Sequence, residues 1–346
     1  MPSPIQSICI VRLSALGDVL MAVPLIRTLQ QAFPVAKLTW IISRPAYDLV
    51  EGMDNVEFIV IDKPNSPLDY WRFKQRMRGR TFDVLLAVQS SFRANLLYAC
   101  ISAQRRIGYD TLRAKDGHAW FINETIQPGQ DHTLDGFLRF AAALDIKHYD
   151  IRWDLPASPE DEQWAQTHLP APRSKPLFLI NPAASKPERS WTVDRYIAVI
   201  NHVKTRWQAE VVLTGGPGAY DRELGSAIAN AVEVTNLIGL TKPKQLLATI
   251  RKATVLLCPD TGPSHMGVAV GTPVIALHAV TSPDVSGPYL YRHLSIDRYP
   301  DAVTTVLKKT PETNTWGTHA HGSDTMSLIT VNDVIAKIDA FFLTVS

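Results

Sequence analysis

The run Ala253-Thr-Val-Leu-Leu-Cys-Pro259, followed by Asp260-Thr-Gly-Pro-Ser-His-Met266 and Gly267-Val-Ala-Val270, decides the fold of this chain. Its first part is apolar and of strand length. Its last part is an apolar run that Gly271-Thr-Pro273 stops, which reads as a short helix. A strand passing through a small-residue turn into a helix N-terminus is the βα unit of a parallel sheet. Such a turn aims several backbone N–H groups at one point and attracts anions, phosphate above all. An ordinary strand-to-helix turn capped by Asp260 or Thr261 fits these residues about as well, so a second element has to be sought.

That element lies at the other end of the chain. Ser7-Ile-Cys-Ile-Val11 reads as a strand, Arg12-Leu-Ser-Ala-Leu-Gly17-Asp18 as the turn after it, and apolar Val19, Leu20, Val23, Ile26 and Leu29 as a helix face. Asp18 alone is explained by helix capping, worth about 1 kcal/mol over alanine. It also stands where open α/β sheets bind ligands, at the carboxyl edge of a strand.

At 346 residues, 46% hydrophobic and 20% charged, the chain fits two globular domains. A net charge of +2 argues against wholesale nucleic-acid binding but hides a local imbalance. Between Arg72 and Lys115 ten basic residues face only Asp83 and Asp110, a net +8 that suits an anionic partner better than a solvated helix face alone. Cys9, Cys100 and Cys258 are widely spaced in apolar surroundings and read as free buried thiols of a reducing compartment. Neither a secretory signal nor a membrane-spanning run is expected, so the sequence suggests a cytoplasmic protein whose membrane contact, if any, is peripheral.

Strands and helices alternate along the chain. Strands are expected at 8–11, 38–42, 58–61 and 84–88, with shorter candidates at 106–108 and 120–122, and helices at 19–33, 94–102 and 134–144. Five prolines between Pro156 and Pro176 mark a linker interrupted by a short helix capped at Ser158. A second series follows, with strands at 177–180, 210–213, 235–238, 255–258 and 274–277 and helices at 193–206, 220–231, 243–250 and 332–342. The segment from Tyr299 to Asp324 reads as an irregular loop. The expected organisation is a first Rossmann-type domain at 1–155, a linker at 156–176, a second such domain at 177–330 across a central cleft, and a final helix at 331–346 packing back on the first domain.

In the second half, Asn181-Pro-Ala-Ala-Ser185-Lys186-Pro-Glu-Arg189-Ser-Trp191 follows a strand and offers Ser185, Lys186 and Arg189 to a phosphate; a helix start with solvated charges fits equally. Thr214-Gly-Gly-Pro-Gly218 is neither G-x-G-x-x-G nor a P-loop, although its glycines permit close approach of a ligand.

The pairing of Arg12-Leu-Ser-Ala-Leu-Gly-Asp18 with Asp260-Thr-Gly-Pro-Ser-His265 resembles glycosyltransferase family 9, the bacterial ADP-heptose:lipopolysaccharide heptosyltransferases of GT-B fold. Asn181 to Ser185, Arg189-Ser-Trp191, Phe82-Asp-Val-Leu-Leu86 and Arg106-Ile-Gly-Tyr109 extend the resemblance through nearly the whole chain. It implies Asp18 as the general base for an inverting transfer. It implies Thr261 and Gly262 on the donor diphosphate with Ser185 and Arg189 helping, Leu240-Thr241 against the adenine, and Asp260 and His265 near the sugar. Several relatives carry Lys two residues before the tryptophan where this chain has Arg189, a planar fork in place of a point charge; Lys186 is placed to share the task.

The resemblance further implies ADP-heptose as donor substrate with no resident cofactor. The acceptor is a lipopolysaccharide inner-core sugar, Kdo or heptose, bound by the first domain at the cytoplasmic face of the inner membrane. Arg76, Arg78, Arg80, Arg93, Arg105, Arg106 and Arg113 are the acceptor candidates, and the basic stretch also suits the anionic membrane surface. No Asp-x-Asp clamp occurs and His319-Ala-His321 is read as incidental, so metal independence is expected. The alternatives are another sugar or acceptor within the family, a nucleotide-sugar epimerase of the same fold, and a non-catalytic lipid-binding protein.

Overall fold

The computed structural model describes residues 4–170 and 175–345, and the chain divides into two compact units, Met1–Pro156 and Ala157–Ser346. In the first unit β1 (Ser7–Val11), α1 (Leu16–Ala32), β2 (Lys37–Ser43), α2 (Arg44–Val50) and β3 (Val56–Ile61) lead to α3 (Pro67–Met77). Then come β4 (Thr81–Leu86), α4 (Phe92–Tyr98), β5 (Ser102–Gly108), β6 (Glu124–Thr125) and α5 (Thr133–Ala142). The six strands are all parallel, in the order β3-β2-β1-β4-β5-β6, so the order reverses between β1 and β4. Ile8, Cys9, Ile10 and Val11 are fully buried, as a central strand covered on both faces requires.

Helix α1 carries Pro24 in its interior, which removes the N–H that would bond the Leu20 carbonyl. The structure fills that vacancy: the Trp153 indole N–H donates to the Leu20 oxygen at 2.8 Å. One turn further on, the buried Arg27 guanidinium donates to the Trp153 and Asp154 carbonyls (3.3 and 2.8 Å) and pairs with Asp54 at 2.8 Å. The end of the first unit thus completes the hydrogen bonding of its first helix.

The second unit runs α6 (Pro159–His168), β7 (Leu177–Ile180), α7 (Val193–Trp207), β8 (Glu210–Leu213), α8 (Ala219–Ala231), β9 (Thr235–Asn236) and α9 (Pro243–Arg251). It continues with β10 (Val255–Pro259), α10 (Gly262–Val270), β11 (Val274–His278), α11 (Pro283–Ser286), β12 (Ile296–Asp297), α12 (Tyr299–Thr305) and α13 (Val331–Val345). Its sheet is again six-stranded and parallel, β12-β11-β10-β7-β8-β9, with the reversal between β7 and β10.

Several expectations need correction. Helix α6 of the expected linker belongs to the second unit, where Glu162 pairs with Lys252 at 2.8 Å and with Arg251; residues 171–174 of that stretch lie outside the described residues. The terminal helix α13 contributes its apolar face to the second unit. Val334, Ile338, Phe341 and Phe342 join the second unit's core, and Trp207 and His202 both bond Asp339 at 2.7 Å. The expected loop at 299–324 begins as α12, with Tyr299, Ala302, Val303 and Ala320 forming a small core of their own. The 120–122 strand is a 3-10 turn, His118–Phe121, and β6 follows it. Helices α2 and α3 were not foreseen.

Candidate active site

Asp18 in the first unit, and Ser185, Lys186, Arg189 and Asp260 in the second, follow the carboxyl ends of the two strands where the order reverses, the position at which open α/β sheets bind ligands. In the first unit Asp18 is the third residue of α1. Its Oδ2 accepts the Ala15 N–H at 3.1 Å and pairs with the Arg12 guanidinium. No donor to Oδ1 is found among the described residues.

Arg12 is held from two further sides. It donates to the Val88 carbonyl at 2.9 Å beyond β4, and it lies over the Phe137 ring of α5, 5.3 Å from its centroid. The Gln89 side chain accepts the Leu13 N–H at 2.8 Å and so ties the turns after β1 and β4 together.

Behind this edge His118 is buried, and burial lowers its pKa to about 4, so its ring is neutral at neutral pH. Its Nε2 accepts the Tyr109 N–H at 3.1 Å, which puts the proton on Nδ1, facing Asn95 Oδ1 at 2.8 Å. Asn95 in turn donates to the Lys115 and Asp116 carbonyls, 3.0 Å each, and fixes the 110–117 loop.

The seven acceptor candidates divide. Arg80 pairs with Glu57 at 2.7 Å. Arg105 makes a bidentate pair with Glu124 (2.8 and 2.7 Å), and Arg106 donates to the Phe121, Ile101 and Tyr98 carbonyls, all at 2.7 Å. Arg113 is buried 3.8 Å from the Asp110 carboxylate. These four are occupied in the fold. Arg76, Arg78 and Arg93 are exposed, although Arg76 also donates to the Val60 carbonyl at 2.8 Å; Arg93 is in the first turn of α4 on the Asp18 edge. An open polar cavity of about 720 Å³ lined by Arg27, Asp54, Tyr149 and Arg152 sits by the other end of α1, away from Asp18.

In the second unit Asp260 ends its strand between two arms. Its Oδ2 accepts from Arg189 at 2.9 Å, Thr281 Oγ1 at 2.7 Å and Ser286 Oγ at 3.1 Å; Arg189 also donates to the Asp260 carbonyl at 2.6 Å. Burial pushes the Asp260 carboxyl up, but His278, Arg189, His265 and the Thr281 hydroxyl outweigh it, and its pKa lies below the usual carboxylate range. Burial, partly opposed by Asp260, lowers the pKa of His278; its Nδ1 faces the Thr281 carbonyl at 3.2 Å and its buried Nε2 has no hydrogen-bond partner among the described residues.

Thr261 caps α10 in extended conformation without a side-chain capping bond, and Pro263 brings no N–H to the first turn. Ser185 and Lys186 are exposed, and Arg189, by contrast, is committed to Asp260. Leu240 is exposed and Thr241 half-buried in the turn after β9, where Gly239 takes a positive φ of 74°.

The structure brings Arg189, Asp260 and His265 together and adds Thr281, Ser286 and His278, which the sequence does not single out, with His319 close enough to feel Arg189 and Asp260. Burial first, then the charges of Arg189, His321 and Lys186, depress the His319 pKa. A signal for Thr281 was available: Thr281 follows the strand beside β10, on the same sheet edge.

Two doubly wound six-stranded parallel sheets, each with its polar cluster at the reversal of strand order, form the GT-B architecture of glycosyltransferases. The chain belongs to glycosyltransferase family 9 (heptosyltransferase), whose sequence model matches residues 70–309. It is 31% identical over 336 residues to the lipopolysaccharide core heptosyltransferase OpsX of Haemophilus influenzae, covering 96% of each chain. Among solved structures it is similar to the glycosyl transferase family 9 protein of Veillonella parvula, with a TM-score of 0.80 at 20% identity over 98% and 97% of the two chains. It is also similar to E. coli heptosyltransferase WaaC with ADP-2-deoxy-2-fluoro heptose, with a TM-score of 0.70 at 17% identity over 97% and 100%. No helix of the described residues is long and apolar enough to cross a membrane.

Proposed function

We propose that this glycosyltransferase moves a heptose from ADP-heptose to an inner-core sugar of lipopolysaccharide, Kdo or heptose, with inversion and without a metal. The observation that carries the reading is the full-length similarity to a lipopolysaccharide core heptosyltransferase, joined to an Asp18 carboxylate that keeps one oxygen unengaged. The acceptor hydroxyl oxygen attacks the anomeric carbon as the bond to the diphosphate oxygen breaks. The hydroxyl proton passes to Asp18, and ADP departs with the bonding electrons.

Negative charge grows on the leaving diphosphate, so donors fixed in advance at that oxygen contribute most. The Thr261 and Gly262 N–H groups at the start of α10 suit this task, with Ser185 beside them. Arg189 gives its Nη2 to Asp260, and the exposed Lys186 is the cation free to meet the phosphates. Asp260 Oδ1, without a donor among the described residues, and His265 suit the sugar hydroxyls, and Leu240 and Thr241 the adenine.

The basic first unit takes the acidic acceptor through Arg76, Arg78 and Arg93, at the cytoplasmic face of the inner membrane. The absence of an Asp-x-Asp pair from the sequence supports metal independence. The test is ADP release from ADP-heptose in EDTA, with and without a Kdo-bearing lipid A acceptor, for the native chain and Asp18→Asn. Acceptor-dependent release that falls about 10²–10⁴-fold in the folded variant is expected. Near-native turnover by Asp18→Asn would remove Asp18 from the role of base.

A further inference from the structure

Helix α3 presents apolar side chains to solvent that no packing requirement explains. Ser66 and Asp69 fix its start: the Asp69 carboxylate accepts the Ser66 N–H at 3.0 Å and the Ser66 hydroxyl at 2.8 Å. Its inner face is Phe73 and Met77, both buried. Leu68 and Trp71, at i and i+3 on the opposite side, are 50% and 57% exposed. Arg72 and Lys74 flank them, both exposed.

The neighbouring elements repeat the pattern. Phe92 and Arg93 open α4, and Leu112, Lys115 and the 86% exposed Trp120 follow in the next loop and turn. These pieces are stitched side by side. Tyr70 of α3 reaches the Arg93 carbonyl at 3.5 Å, the Phe92 N–H bonds Asp116 at 2.9 Å, and Ser90 bonds the Lys115 carbonyl at 3.2 Å. The cations here lack strong partners: Arg72 has only Asp69 at 3.9 Å, and no ion pair is found for Lys74, Arg93 or Lys115 among the described residues.

We propose that this aromatic and basic face, centred on Leu68 and Trp71, docks the enzyme on an anionic phospholipid surface. Indole and aliphatic groups settle at the headgroup boundary while Arg and Lys meet lipid phosphates, the division of labour of interfacial membrane binding. Charge complementarity selects the occupant. A protein partner would ordinarily ask for an interface core depleted of charge, whereas here cations alternate with the apolar groups. The face includes the first turns of α3 and α4, which follow the carboxyl ends of β3 and β4, so it borders the edge that carries Asp18. The inference rests on the lipid-borne acceptor of the function proposed above and names the surface that meets its membrane.

The test is co-sedimentation of the full chain with acceptor-free vesicles of phosphatidylcholine alone or with phosphatidylglycerol. Binding should require phosphatidylglycerol and weaken with salt. Leu68→Ser with Trp71→Ser should weaken it about tenfold or more, and Arg72→Glu with Lys74→Glu should erase the preference for anionic lipid. Val35→Ser, at a still more exposed apolar residue after α1, should change nothing. Transfer to a lipid-free acceptor sugar should stay at the native rate in the Leu68/Trp71 variant, which separates loss of docking from loss of the reaction. Native partitioning by that variant, or no binding of the wild-type chain to anionic vesicles, overturns the proposal and leaves the face to a protein partner.

Discussion

Lys186 and Arg189 lie three residues apart on one loop, both cationic, yet the structure gives them separable tasks. Arg189 is largely buried and makes two bonds to Asp260, whose side chain is 10% exposed. Replacing it by Met leaves a buried carboxylate without its cation, a change that costs about 3–5 kcal/mol when nothing else compensates. Thr281 and Ser286 still donate to the same oxygen, so about 2–3 kcal/mol is the working figure. At about 2–4 °C per kcal/mol for a domain of this size, thermal unfolding of the second unit should fall by about 4–12 °C.

Lys186 is exposed, and Lys186→Met should leave that transition in place. If its ammonium meets the donor phosphates, losing a charge-assisted hydrogen bond of about 1.5–3 kcal/mol raises KM for ADP-heptose about 10- to 150-fold. Scanning calorimetry and donor titration at saturating acceptor measure the two effects. A KM within about twofold of native in Lys186→Met, or an unchanged transition in Arg189→Met, refutes this division of roles.

Three further outcomes are expected. Asp260 has its folded pKa below the unfolded value, so its contribution to stability is full above about pH 4 and is lost as pH falls through the folded value. Asp260→Asn should therefore flatten the acid limb of stability, measured by urea unfolding at stepped pH, and an unaltered limb would contradict the network. Trp153→Phe leaves the Leu20 carbonyl buried and unbonded and should cost about 1–3 kcal/mol; a midpoint shift below about 0.5 kcal/mol in denaturant would show that the carbonyl finds another donor. Gly136→Ala puts a methyl group 3.3 Å from the Arg113 guanidinium. Replacing a helix-interior glycine by alanine ordinarily gains about 1 kcal/mol, so the first unit should gain less than that, and the full gain in a denaturant midpoint would mean that Arg113 moves at no cost.

The alternation of strands and helices was legible because parallel strands buried on both faces read as unbroken apolar runs, as in Ile8 to Val11 and Val255 to Pro259. Helix α3 was not legible, because only Phe73 and Met77 of its eleven residues are buried, too few to set a helical period. The apolar stripe of α13 announced that it packs on something, but which core receives it depends on three-dimensional proximity. The partners taken within the basic stretch depend on proximity in the same way. Arg105 and Arg106 are sequence neighbours on one strand, so they point to opposite faces, and one finds Glu124 while the other finds three carbonyls. Asp18, Arg189 and Asp260 stood out because they follow strands. Thr281 and Ser286 did not, since their link to Asp260 depends on β11 lying beside β10.

The dependence of α1 on Trp153 and Asp154 sets a timetable for synthesis. A nascent chain that has delivered the helix bearing Asp18, but not residues 153 and 154, holds an unbonded Leu20 carbonyl and an Arg27 guanidinium short of two of its acceptors. The first unit can therefore be completed only after its last few residues have left the ribosome. At roughly 5–20 residues per second, that leaves a window of several seconds in which β1 to β4 exist without their closing strap. A stop before Trp153 would yield a fragment without the donor that the Leu20 carbonyl takes in the fold.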